Sequence, residues 1–138
     1  RSKLSGPLLD RIDLHIAMQR PQYSELSGGD SGKAVPSSVL REAVLIADGI
    51  QKKRYGAEHI KSNSLLTPAM IKKYCVMEDG AEDVLKTAFT KFRLSARSYH
   101  RIIKVARTIA DLEAAEKISR KHVLEALSYR LPDDFFRG

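Results

Sequence analysis

Leu94-Ser95-Ala96-Arg97-Ser98-Tyr99-His100-Arg101-Ile102-Ile103-Lys104-Val105-Ala106-Arg107-Thr108-Ile109-Ala110-Asp111-Leu112-Glu113 reads as one amphipathic helix whose start is written into the sequence. Tyr99, Ile102, Ile103, Ala106, Ile109 and Ala110 recur at the spacing of a single buried helix face. Ser95 stands just ahead of that pattern, where a hydroxyl accepts from an orphan backbone N–H. Arg97, Arg101 and Lys104 fall at i, i+4 and i+7 and so share a second face. That face begins at the helix N-terminus, whose free N–H groups and macrodipole favour an anion. On spacing alone Arg97 reads either as a solvated surface arginine or as a phosphate contact.

The same signals extend to both sides. Upstream, Asp79 with Glu82 makes an aspartate variant of the capping box, and Ala81, Val84, Leu85, Ala88, Phe89 and Phe92 form the next apolar face. Thr67-Pro68 supplies a cap and a first-turn proline for a short helix through about Tyr74. Ser37 or Ser38 caps a longer helix to about Tyr55, with Val39, Ala43, Ile46, Ala47 and Ile50 as its expected buried stripe. Lys52, Lys53 and Arg54 suit its C-terminal end, and Gly56 is the expected stop. Downstream, Ser119 caps a last helix that faces Val123, Leu124 and Leu127 inward and ends by Pro132. Amphipathic helices with short connections make a compact bundle, so the expected fold class is all-α.

The N-terminal residues follow a different period. Ile12, Leu14 and Ile16 alternate with Asp13 and His15, the period of a strand. A lone strand cannot make a sheet, so its partners are expected upstream of Arg1. With no initiator Met, the chain reads as a piece of a longer protein. Without that sheet, residues 8–16 are expected to be disordered, folded onto the bundle or paired with a second copy. Arg11, between Asp10 and Asp13, reads either as half of a local ion pair or as a catalytic cation.

Between strand and bundle the composition turns to Pro, Ser, Gly and Glu, the mark of a linker. Within it Ser27-Gly28-Gly29-Asp30-Ser31-Gly32-Lys33-Ala34 imitates a phosphate-binding loop. The true pattern needs glycine at 27 and a hydroxyl at 34 for Mg²⁺, and Pro36 interrupts the helix that must follow. The expected organisation is therefore 1–18 as the end of a preceding core, 19–36 as linker, 37–132 as the helical domain and 133–138 as a fraying tail.

Composition bounds the function only loosely. The 138 residues carry a formal charge of +7, which suggests an anionic partner such as nucleic acid or nucleotide. Cys75 is the single cysteine, which excludes an intramolecular disulfide, and it reads as a small buried hydrophobe. His15, His59, His100 and His122 show no i, i+4 pairing and no clustering with cysteine, so no metal site is expected. No apolar run reaches bilayer length and no signal-peptide pattern opens the chain, so no membrane contact is expected and the cytoplasm is the expected location.

Two motifs together resemble the magnesium-chelatase-like branch of the AAA+ ATPases, in particular the competence protein ComM (YifB) family. One is Lys3-Leu4-Ser5-Gly6-Pro7-Leu8-Leu9-Asp10-Arg11-Ile12-Asp13-Leu14-His15-Ile16; the other is the helix quoted first, from Leu94 to Glu113. The resemblance implies that Leu8 to Ile16 ends the ATPase core with its last strand, and that the helices form the C-terminal lid. It implies that Arg11 is the arginine finger, reaching the γ-phosphate of ATP on a neighbouring ring subunit, and that Arg97 is the second sensor arginine. Both roles suit arginine, whose planar, permanently charged fork meets γ-oxygens in phosphoryl transfer. The resemblance decides little for Arg101 and Lys104, which remain either phosphate or DNA contacts or solvated cations.

The ATP-binding Walker A and B segments of the family are not in this sequence, so the chain alone is expected neither to bind ATP tightly nor to hydrolyse it. ATP and Mg²⁺ belong to the parent protein, expected to be a homo-oligomeric, hexameric ring that acts on DNA, with branch migration in natural transformation as its work. One rival is a self-contained helical nucleic-acid-binding domain using the basic face. Another is a chelatase subunit inserting Mg²⁺ into a porphyrin, for which no residue here speaks.

Overall fold

A computed structural model describes residues 11–16 and 35–130. The phosphate-loop imitation at 27–34, most of the linker, the first ten residues, Pro132 and the tail lie outside the described residues. Five α-helices follow one another: α1 (Ser37–Arg54), α2 (Pro68–Tyr74), α3 (Asp79–Lys91), α4 (Ala96–Leu112) and α5 (Arg120–Ser128), with a short 3-10 turn at Asn63–Leu65 between α1 and α2. The fold is all-α, as the helical periodicity requires.

Helix α4 is the axis of the bundle. It packs against α1, α2, α5 and the 3-10 turn, while α3 packs on α5. Its expected face is buried: Ile102, Ile103, Ala106, Ile109 and Ala110 are all in the core, with Tyr99 half-buried at its edge. Ala81, Leu85 and Ala88 of α3 and Val123, Ala126 and Leu127 of α5 close the core, with Ile71 and Cys75 of the α2 region. A parallel bridge between Met77 and Ile118 ties the α2–α3 connection to the α4–α5 connection. Glu78 N–H donates to Ile118 O at 3.0 Å and Ile118 N–H to Val76 O at 2.9 Å.

Three helix starts hold as the sequence predicts. Ser95 Oγ accepts from Ser98 N–H, Thr67 Oγ1 accepts from Met70 N–H with Pro68 opening α2, and Ser119 caps α5. Two differ. Helix α1 begins after Pro36, whose fixed φ of −58° leads directly into it, and neither Ser37 nor Ser38 caps it. Glu78, not Asp79, is the N-cap residue of α3, so Asp79 and Glu82 both sit in the first turn, where the macrodipole favours their charge.

The ends of α3 and α4 carry a device that has no glycine to announce it. Arg93 and Ala114 each take a positive φ, 48° and 53°. After them Leu94 N–H returns to Phe89 O at 3.1 Å and Ala115 N–H to Ala110 O at 2.8 Å, the six-to-one bond of the Schellman ending. A β-carbon in that conformation costs about 1–2 kcal/mol, which the surrounding bonds must offset.

Residues 11–16 run as irregular chain along the bundle, without a ladder partner among the described residues, so the strand period of Ile12, Leu14 and Ile16 is not expressed as a strand. A strand needs a neighbour, and here the tethers are to helices. His15 N–H donates to Tyr129 O at 2.6 Å, Asp13 pairs with Arg101 at 2.9 Å, and Arg130 reaches Ile12 O at 3.0 Å. Residues 11–16 are thus held against the bundle, while residues 8–10 of the expected segment lie outside the described residues.

Candidate functional site

The N-terminus of α4 is the first element of the site. Ser95 Oγ satisfies one orphan donor, at 3.1 Å from Ser98 N, and helix geometry leaves the N–H groups of Ala96 and Arg97 without an intrahelical acceptor. Ser98 is buried and fixes the turn against the core, while Arg97 beside it is exposed to solvent. A cation, free N–H groups and the positive end of a helix thus meet on a rigid support. In general such a combination favours an anion.

Further along the same face the cations are already engaged. Arg101 Nη1 lies 2.9 Å from Asp13 Oδ1, and Lys104 Nζ donates to Ser64 O at 2.9 Å. Both line a cleft of about 410 Å³ together with Asp13, Leu14, Thr108 and Tyr129. The i, i+4, i+7 face is therefore not a uniform basic stripe: Arg97 faces solvent, while Arg101 and Lys104 tie the N-terminal segment and the 3-10 turn to α4.

Arg11 is exposed, one residue before the tethered Ile12. Besides the Asp13–Arg101 pair, a second connection between this segment and α4 runs through Arg130, just past the end of α5. Arg130 Nη1 donates to Ile12 O at 3.0 Å and Nη2 to Ser98 Oγ at 3.3 Å.

Two clusters escaped the sequence reading. The first lies under α1 and α4. Arg107 and Asp111 are completely buried, where periodicity marks only apolar residues for the core. Arg54 grips both oxygens of Asp111, Nη1 to Oδ2 at 2.8 Å and Nη2 to Oδ1 at 2.5 Å, and Arg107 Nε adds a bond to Oδ1 at 3.1 Å. Asn63 donates to Asp111 Oδ2 at 2.9 Å and accepts from Tyr55 Oη at 2.6 Å, and its own N–H donates to Gln51. The bond to Asp111 raises the pKa of the Arg54 guanidinium, and burial raises that of the Tyr55 phenol. Arg107 spends its remaining donors on the carbonyls of Ala115 and Glu116, at 2.5 and 2.8 Å. This network is a brace: it locks α1, the 3-10 turn and the C-terminal end of α4 into one body, at the far end of that helix from Arg97. The i, i+4 spacing of Arg107 and Asp111 is its only trace in the sequence.

The second cluster has the residue types of a hydrolase. His122 Nδ1 is 3.1 Å from Ser119 Oγ and Nε2 is 3.0 Å from Glu113 Oε2. Its wiring belongs to a helix cap. Nδ1 accepts the backbone N–H of Ser119 at 3.0 Å, and Ser119 Oγ accepts the backbone N–H of His122. Nδ1 already holds a proton donor and has no capacity to activate the hydroxyl. Lys121, before His122, lowers the Glu113 pKa. Cys75 is likewise no nucleophile: burial pushes its thiol up to about 11.

No group of three or more His, Cys, Asp or Glu side chains converges among the described residues, and no helix among them is long and apolar enough to cross a membrane.

The family model described as magnesium chelatase, subunit ChlI C-terminal, matches residues 34–130, which take in all five helices. The chain belongs to this family. It is 43% identical over 130 residues to the competence protein ComM of Haemophilus influenzae, covering 94% of this chain and 24% of that protein. It is 39% identical to YifB of Salmonella typhimurium and 35% identical to YifB of Escherichia coli, covering 96% of this chain and 25% of each relative. The chain thus spans about a quarter of the length of the relatives it matches. In this magnesium-chelatase C-terminal domain, Arg97 stands in the first turn of α4.

Proposed function

We propose that the chain is the C-terminal lid of a larger magnesium-chelatase-like AAA+ ATPase, in which Arg97 contacts the terminal phosphate of bound nucleotide and Arg11 is presented to the site of a neighbouring subunit. The observation that carries the reading is Arg97 itself: an exposed guanidinium in the first turn of a helix capped by Ser95 and seated on the core through the buried Ser98. Such a group stabilises charge on the γ-oxygens as the phosphoryl group is transferred. The described residues fit one end of ATP only. They offer cation and N–H for phosphate but no converging carboxylates for Mg²⁺, which the remainder of the parent supplies with its nucleotide-binding loop. On this reading the work of the parent is DNA remodelling in a cytoplasmic homo-oligomeric ring of six subunits; the Haemophilus relative is named a competence protein.

Substituting Arg97→Ala and Arg11→Ala separately in the full parent protein tests this. Arg11→Ala lowers ATP turnover and leaves nucleotide affinity intact; Arg97→Ala lowers turnover with some loss of affinity. Unchanged turnover in both removes the reading.

The basic net charge favours a second reading, a free-standing nucleic-acid binder, but the engagement of Arg101 and Lys104 with Asp13 and Ser64 speaks against it. The lid reading requires weak DNA binding by this chain alone. Tight binding that falls steeply with rising salt would favour the rival instead.

A further inference from the structure

Arg130 makes two contacts that differ in kind from a helix cap. Its guanidinium spans two parts of the chain, with Nη1 on the carbonyl of Ile12 and Nη2 on the hydroxyl of Ser98. Ile12 directly follows Arg11, and Ser98 directly follows Arg97. One side chain therefore holds the residue next to each of the two arginines. Ser98 is buried and part of the α4 cap, so that end of the bridge is anchored in the core. At the other end the grip on residues 11–16 is reinforced by His15 N–H on Tyr129 O and by the Asp13–Arg101 pair. All three tethers converge on one corner, where the start of α4 meets the end of α5.

We propose that Arg130 is a positioning residue that sets Arg11 and Arg97 in one rigid unit, so that any displacement of the lid by nucleotide carries the finger for the neighbouring site with it. This rests on the roles assigned to Arg11 and Arg97 above. Arg130 touches no reacting atom; it acts through the placement of Arg11. Geometry dictates the residue type. A planar fork with separate nitrogens satisfies two acceptors on different elements, while lysine offers a single ammonium that reaches one of them. A misplacement of about 1 Å at a reacting group costs about a hundredfold in rate, so a loosened tether is visible in turnover.

The test is a double-mutant cycle on ATP turnover in the full parent, with Arg11→Ala, Arg130→Ala and the pair, each with nucleotide affinity measured. Expected is a drop of roughly tenfold to a hundredfold for Arg130→Ala at unchanged affinity, and no further drop when it is added to Arg11→Ala. Arg130→Lys recovers part of the loss. In parallel, Arg130→Ala in the present chain speeds amide exchange at His15 and leaves α4 protected. An Arg130→Ala effect of equal size with and without Arg11, or exchange at His15 that does not change, overturns the inference. A parent whose turnover ignores Arg11→Ala and Arg97→Ala instead removes the functional reading beneath it, and the two failures are thus told apart.

Discussion

Asp111 of α4 receives both terminal nitrogens of Arg54, the last residue of α1, at 2.8 and 2.5 Å, with its side chain wholly out of solvent. A carboxylate buried this way is stable only while paired. Here it has Arg54, Arg107 and Asn63. Removing it leaves the fully buried Arg107 with a charge and no counter-charge.

Asp111→Ala is therefore expected to cost about 3–5 kcal/mol, the range for breaking a buried pair by deleting one partner. The midpoint of chemical denaturation, with its slope unchanged, measures it. A loss below about 1 kcal/mol, the scale of an exposed pair, would mean that the cluster braces nothing.

Ala114 holds a positive φ at the end of α4, where the sequence offers no glycine. Ala114→Gly relieves about 1–2 kcal/mol of steric cost and concedes about 0.5–1 kcal/mol to the entropy of the unfolded chain. The expected result is a thermal midpoint slightly higher than that of the unmodified chain. A lowered midpoint would show that the φ is not strained.

Glu113 is paired with Lys121 and with His122, and the bonds to them lower the pKa of its carboxyl. A carboxylate depressed in the folded state adds stability above its ordinary pKa, about 4.3, and that stability is lost as pH falls through the folded value. Thermal unfolding between neutral pH and pH about 3 should show a small acid loss that Glu113→Gln lacks. The effect is small because the pair is exposed. Identical acid profiles for the two chains would remove Glu113 from the account.

How much of this was legible in the sequence follows from what periodicity records. The α4 face, its Ser95 cap and the Thr67-Pro68 start were readable, because apolar spacing and capping residues act locally. Arg107 and Asp111 were not, because charged residues on a helix read as solvent-facing until a third partner, Arg54, arrives from 57 residues away in sequence. Helix α1 shows the opposite error. Val39 and Ile46, expected in its buried stripe, are exposed at 53% and 49%, and only Ala47 and Gln51 are fully buried. An apolar stripe announces that a face favours cover, not which part of the molecule supplies it. Arg97 could be placed because it follows a cap. The engagement of Arg101 with Asp13 could not, since that contact joins residues far apart in the sequence.

The central claim is that Arg97 and Arg11 meet the terminal phosphate of a nucleotide. A structure of the intact parent ring, loaded with a non-hydrolysable ATP analogue, tests it most directly. The account predicts both guanidinium groups at hydrogen-bonding distance, about 3 Å, from γ-phosphate oxygens, with Arg11 reaching the nucleotide of the adjacent subunit. Both side chains lying far from every triphosphate would contradict it.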